Sequence, residues 1–227
     1  MISFFAQYPE YWSDWTARLL QGGVVTAKLS LGGFALAALL GSLLTWALRS
    51  PFAWLRRSAV YFIQGMRALP LLALLLALYF SLPSLGLTLS GFEAGILGLG
   101  LQGSAYIAEI LRGGLDALHR GQRESAIAVG LTPFQAFTAV ILPQAIRGML
   151  PPLLNAYVSI LKDSSLCALI ATDELMLAAR AIASESFLPM HIFLLVGLFY
   201  FVIAFPLSLL SRVLEKRFSR GRKSLRG

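Results

Sequence analysis

The chain has 227 residues, 57% of them hydrophobic and 13% charged, with a mean hydropathy of +0.74. Soluble domains of this length carry about a quarter charged residues, so this chain lacks the polar surface a globule would need, and the bilayer is its natural solvent. The net charge of +8 is scattered over separate loops with no aromatic interleaving, which argues against a nucleic-acid surface.

The first 17 residues hold no basic segment ahead of an apolar core, so no cleavable signal peptide is expected. Tyr8–Trp15 mixes aromatics with acids and reads as an interfacial helix or arm on the outer membrane face. Five apolar blocks follow, Leu19–Leu48, Tyr61–Leu82, Ala94–Leu111, Phe137–Leu161 and Ile192–Leu214. Each is near the ~20 residues a helix needs to cross ~30 Å of hydrocarbon. Backbone groups in lipid must bond internally, so helices are the default. The expected fold class is all-α, a polytopic membrane bundle of about five transmembrane helices in a single domain over residues 1–227. The block over 137–161 is the one most interrupted by polar residues.

Small residues line the first block (Gly32, Gly33, Ala37, Gly41) and the third (Gly95, Gly98, Gly100, Gly103). They allow close helix approach, within one bundle or against a second subunit. The lone Cys167 can form no internal disulfide and reads as a small core residue. His119 and His191 are too far apart to suggest a metal site.

Thirteen of the 19 basic residues fall in three segments, Arg49 to Arg57, Arg112 to Arg123 and Arg212 to Arg226. The positive-inside rule makes these cytoplasmic. With five spans, the N-terminus is then outside and the C-terminus inside. Outside too lies the segment over 163–190, with Asp173, Glu174 and Glu185. The basic tail from Glu215 onward reads as a solvated end drawn to anionic lipid.

Between the third and fourth blocks, residues 112–136 form a loop far longer than a connection between two spans requires. Gln122 to Val129 are good helix formers, Gly130 supplies a stop, and Thr132-Pro133 places an N-cap and a first-turn proline for a restart. Two short helices meeting at a glycine turn would make a cytoplasmic knob. Ile127, Val129, Leu131 and Phe134 would fill a partner's cleft, ringed by Arg120, Arg123 and Glu124.

These residues resemble a known family. Glu124-Ser125-Ala126, Gly130 six residues after Glu124, and Val140-Ile141-Leu142-Pro143 fit the Glu-Ala-Ala…Gly…Ile-x-Leu-Pro loop of ATP-binding-cassette importer permeases. Ser125 and Val140 are mild departures. Tyr106 to Leu115, Leu142 to Tyr157 and Leu161 to Leu166 look like the polar-amino-acid subfamily, which moves histidine, arginine, glutamine or glutamate. Arg67-Ala-Leu-Pro-Leu departs from that subfamily's Arg-Gly-Thr-Pro-Leu. The resemblance implies a type I importer transmembrane domain whose Arg123, Glu124, Ser125, Ala126, Gly130, Leu131 and Pro133 couple it to ATPase subunits. It implies a homodimer, or a heterodimer with a similar permease, and an extracytoplasmic amino-acid-binding protein. The chain has no Gly-x-x-x-x-Gly-Lys-Ser/Thr stretch, so no cofactor is expected on it; ATP and Mg would sit on the partner subunits, and the chain itself would be no enzyme.

Ionisable groups inside spans cost roughly 2.5–3.5 kcal/mol each at a helix centre, which makes them pathway candidates. Lys162 and Asp163 could meet the carboxylate and ammonium of a zwitterion, with Ser164 adding a hydroxyl. Adjacent residues point about 100° apart, so both can line one cavity only at a helix end or break; otherwise they pair with neighbours. Asn155 reads either as an interhelical hydrogen bond or, beside the helix-breaking Pro151-Pro152, as pathway lining. Glu109 suits a salt bridge with Arg112 as well as a substrate. Arg67 suits a gate or a loop anchor, Arg147 a loop anchor, and Lys28 a snorkelling role.

Other classes fit less well. A secondary transporter would need more spans and inverted repeats, and a membrane enzyme would need a catalytic constellation that does not appear. A regulatory membrane subunit, or a permease of another importer subfamily, shares the docking loop and stays open. The acids Asp163, Asp173 and Glu174 lean weakly towards a basic cargo.

Overall fold

The computed structural model describes residues 8–118 and 120–223; His119 lies outside them, as do the side chains of Arg120 and of the tail residues from 219 onward. All regular structure among the described residues is helical. Four stretches are long and apolar enough to cross a bilayer alone, Tyr11–Leu48, Gly91–Asp116, Pro133–Ile170 and Pro189–Phe218. The pair Ala53–Ala68 and Leu71–Leu85, bent by 103°, is long and apolar enough only when taken together, which makes up to five spans.

Helix α1, Tyr8–Leu48, has 41 residues, about 60 Å at 1.5 Å per residue, twice the hydrocarbon thickness. The aromatic N-terminal segment is therefore not a separate interfacial arm. Trp15 is buried, Tyr11 stacks on it at 5.2 Å, and Tyr8 meets it edge-on at 6.2 Å. Trp15 is buried against later helices, while Tyr11 and Trp12 stay exposed.

Helix α4, Gly91–Asp116, is the central element and opens with a Ser90/Glu93 capping box. It packs on α1 through glycines from both sides. A Cβ at Gly33 would stand 2.9 Å from Leu99 Cβ, one at Gly103 2.9 Å from Ala37 Cβ, and one at Gly41 3.0 Å from the Ser104 carbonyl oxygen. These small residues serve packing inside one chain. Leu29, Ala37, Leu75, Leu99, Ile107, Ile160 and Cys167 fill the core around that seam.

The bent crossing comprises α2 (Ala53–Ala68), α3 (Leu71–Leu76), a π turn at Ala77–Ser81 and a 3-10 turn at Leu82–Leu85. After α4 come α5 (Arg120–Ala128), α6 (Pro133–Gln135), a second π turn at Ala136–Ile141, and α7 (Leu142–Asp163). Each π turn stands just ahead of a proline, Pro83 or Pro143. A proline cannot donate to the carbonyl four residues back, so widening the turn re-registers the ladder there. Helix α7 is unbroken across Pro151-Pro152, against the break expected from the sequence. Ser211 of the last helix donates to the Pro151 carbonyl at 3.0 Å, and packing on both sides holds the helix through the prolines.

A 3-10 turn at Ser164–Ile170 leads to α8 (Leu175–Ser186) and α9 (Pro189–Lys223). These pack on the start of α1 around Trp15, Leu19, Leu175, Ile182 and Ile192. Arg18 of α1 grips Glu185 of α8 through two bonds of 2.6 and 2.8 Å. Glu174, read from sequence as one of the acids of the outer segment over 163–190, is wholly buried. It caps α8 by accepting from the Leu177 amide at 2.9 Å, and it also accepts from Tyr200 at 3.0 Å and Thr26 at 3.3 Å. Three elements are tied at that one carboxylate.

Candidate functional site: a loop-end knob and an open cavity between helices

The knob is built by local rules. Helix α5 ends in a Schellman motif, with Leu131 N–H on the Ala126 carbonyl at 3.2 Å and Gly130 N–H on the Ile127 carbonyl at 2.9 Å. Gly130 has φ +90°, a conformation that costs a side-chain-bearing residue roughly 1–2 kcal/mol. Thr132 then caps the next helix with Gln135 in a reciprocal box, and Pro133 takes its first turn. This second helix is not a separate short piece. Its three residues run straight into the π turn and α7, giving one continuous helical path from Pro133 to Asp163.

The knob's sequence-derived residues divide by face. Ala126 is buried where α5 packs on the π turn, and Leu131 is half-buried. Arg123, Glu124, Ser125, Gly130 and Pro133 are exposed, as are Val129 and Phe134. A small residue at 126 is what lets α5 lie close to the body, and Gln144 of α7 reaches Gln122 at 3.2 Å. At the same end, Arg49 donates to Asp116 at 2.6 Å, and Arg112 donates to Glu109 at 2.6 Å and to Asp116 at 3.5 Å, an ionic chain joining α1 to α4. Glu109 is therefore a partner of Arg112 and does not line the cavity described next.

That cavity, about 430 Å³, opens between α3, α4 and α7. Two stripes face it. On α7 they are Asn155, Ser159 and Asp163, and on α4 Gln102, Tyr106 and Ile110, each set spaced by four residues; Leu71, Leu99 and Pro152 supply apolar wall. Spacing by four keeps side chains on one helix face. Asn155, Ser159 and Asp163 make no side-chain hydrogen bond or ion pair with any described residue. All three are exposed along the open cavity wall.

Several pathway candidates fall elsewhere. Lys162, 100° round the helix from Asp163, is exposed off the cavity, because α7 stays regular to its last residue. Ser164 is buried and donates to the Leu161 carbonyl at 2.7 Å, a bond local to the helix end. Arg67 lies beside the cavity, its guanidinium carbon 5.9 Å from the centre of the Tyr106 ring. Asn155 forms no interhelical bond among the described residues and lines the cavity. Gln102, Tyr106 and Ser159 were missed from sequence. Ser159 had one signal, its spacing of four from both Asn155 and Asp163; Gln102 and Tyr106 are four apart but share no such spacing with a pathway candidate already singled out.

No group of three or more His, Cys, Asp or Glu side chains that could hold a metal occurs among the described residues.

The family of binding-protein-dependent transport system inner membrane components matches residues 13–220. The chain belongs to that family. Its relatives include a probable glutamine ABC transporter permease protein, GlnM, of Bacillus subtilis (strain 168), 39% identical over 75% of this chain and 77% of that one. The glutamine transport system permease protein GlnP of Escherichia coli (strain K12) is 34% identical over 90% of this chain and 97% of that one. Among solved structures, a crystal structure of an amino acid ABC transporter with histidines superposes with a TM-score of 0.84 at 31% identity, covering 90% and 96% of the two chains. The inward-facing methionine ABC transporter MetNI superposes at 0.64 and 22% identity, a likeness of fold alone. The chain is thus a multi-pass permease subunit with the type I importer architecture, and permease subunits of this family are not themselves catalytic.

Proposed function

We propose that this permease moves zwitterionic amino acids with uncharged polar side chains through the cavity between α4 and α7. The observation that carries the reading is the unpaired stripe Asn155–Ser159–Asp163 facing Gln102 and Tyr106. Asp163 is the one carboxylate on the wall, and it is matched to the substrate ammonium. Arg67, stacked on the Tyr106 ring and in no ion pair among the described residues, is placed to take the carboxylate. With its single acid engaged, the wall has none left for a second cation, and its amides and hydroxyls suit an amide or hydroxyl side chain. Glu174, buried in its own hydrogen bonds, and Asp173, outside the cavity wall, do not add to a basic site. The reading favours uncharged polar over basic cargo.

The basic loops put the knob on the cytoplasmic side, the N-terminus outside and the C-terminus inside. The exposed knob residues Arg123, Glu124, Ser125 and Gly130, with Val129 and Phe134, would seat on ATPase subunits, which carry the ATP and Mg. An extracytoplasmic binding protein delivers the amino acid, and a second permease chain, identical or similar, completes the membrane part. Movement of α5 on ATPase closure passes to α7 along the continuous helix from Pro133. It thereby displaces the stripe that holds the substrate, alternating access to the cavity.

The test is ATPase activity in proteoliposomes with the cognate ATPase and binding protein, scanned across the polar amino acids. Stimulation by glutamine-like amino acids above lysine or arginine is expected. No response to any amino acid, or a preference for the cationic ones, would sink the reading.

A further inference from the structure

The bent crossing has a joint whose fastening bears on the cavity. Helix α2 ends at Ala68, and Leu69 and Pro70 are extended (ψ 133° and 132°) before α3 begins. Pro70 has no N–H to continue the ladder, so the joint's carbonyl groups need partners from outside the helix. The Leu69 carbonyl finds one in Gln102 Nε2 of α4, at 2.7 Å. One turn further along α4, Tyr106 carries the Arg67 guanidinium at 5.9 Å. Gln102 and Tyr106 both line the cavity, so the side chains that hold the joint are also wall. The other end of the Gln102 amide, Oε1, accepts no hydrogen bond from the described residues.

We infer that Gln102 is a positioning residue that ties occupancy of the cavity to the angle of the joint at Leu69–Pro70. The inference rests on the permease reading. Its amide clamps the joint with Nε2 and offers Oε1 to a donor in the cavity. A substrate N–H on Oε1 orients the amide and favours the clamped joint. When the cavity empties, the amide is free to turn, the Leu69 carbonyl loses its donor, and α2 swings relative to α3. Arg67 leaves the Tyr106 ring with that swing.

The experiment uses the full transporter with Gln102→Met, which keeps length and removes both polar ends, and Gln102→Glu, which keeps shape but cannot donate. The readouts are amino acids moved per ATP at saturating substrate, and the distance between spin labels on Ser58 and Leu85 across the joint. Both variants are expected to lower the coupling ratio by roughly three- to tenfold, the equivalent of one lost hydrogen bond, and to broaden the label distance. A role in substrate contact alone would instead separate them: Glu would raise affinity for cationic amino acids, Met would not, and both would keep wild-type coupling. That outcome overturns the inference. In the unsubstituted transporter, the label distance should also shift between nucleotide-free and nucleotide-bound states. A fixed distance overturns the inference whether or not the variants fold. Since this arm needs no substrate, it stays informative even if no amino acid stimulates the ATPase.

Discussion

The knob and the cavity are built by opposite routes. The knob exposes apolar and charged side chains on a frame made almost wholly of local contacts, a Schellman turn, a capping box and one buried alanine. The cavity is assembled from two helices whose facing stripes lie about fifty positions apart in sequence, and Asn155, Ser159 and Asp163 on its wall are exposed with no side-chain partner among the described residues. An exposed apolar patch and an unpaired polar stripe along an open cavity are both incomplete. The first asks for a protein surface, the second for a small polar ligand. The difference teaches that the two sites should fail separately.

Gly130→Asp would break the comparison at its strongest point. The positive φ penalises any side chain, and the new carboxylate lands at the docking face. Uptake should fall to background and association with the ATPase subunits should be lost in co-purification, while amino-acid binding to the isolated permease is retained. Loss of both together would mean the sites are not separable.

Asp163→Asn is the converse. Removing the wall's carboxylate forfeits a charge-assisted hydrogen bond of about 1.5–3 kcal/mol, so the substrate KM should rise about tenfold or more. ATPase association should be unchanged. A KM within twofold of the unsubstituted protein would remove Asp163 from the pathway.

Ala126→Leu sharpens the knob's internal logic. Overpacking a buried site costs about 1–3 kcal/mol. The larger side chain would push α5 off the π turn, weakening ATPase association with little change in KM. Full retention of association would show that the close seat of α5 is not needed.

The smallest effect concerns a region outside both sites. The two hydrogen bonds from Arg18 hold the Glu185 carboxyl below the ordinary carboxylate range. A depressed carboxyl contributes stability that is complete above the unfolded value and drains away as pH falls through the lowered folded value. The Tm gap between the protein and Glu185→Gln should be constant near neutral pH and close below about pH 4. A gap independent of pH would mean the pair is not what joins α1 to α8.

Much of the knob was legible in sequence because its determinants are neighbours: Gly130, Thr132-Pro133 and Gln135 act within one or two turns of each other. The expected second short helix was wrong because nothing after Pro133 stops it; Pro143 widens the turn and the helix continues. The cavity was half legible. Asn155 and Asp163 stood out as polar groups in a span, but Lys162 and Ser164 stood out equally, and Gln102, Tyr106 and Ser159 drew no notice.

By itself the sequence determined that the chain has four to five apolar spans as helices, and where its exposed helix–turn–helix knob lies. Composition, charge placement and capping residues act over a few turns and need no knowledge of neighbours. Tertiary structure alone decided which face of α7 opens on the cavity, that Glu174 is buried as a three-way tie, and that Gln102 holds the joint at Leu69. Those are pairings between residues 33 to 148 positions apart. A polar side chain on a helix shows its type in sequence, but the helix packed beside it decides whether it meets a partner or an empty space.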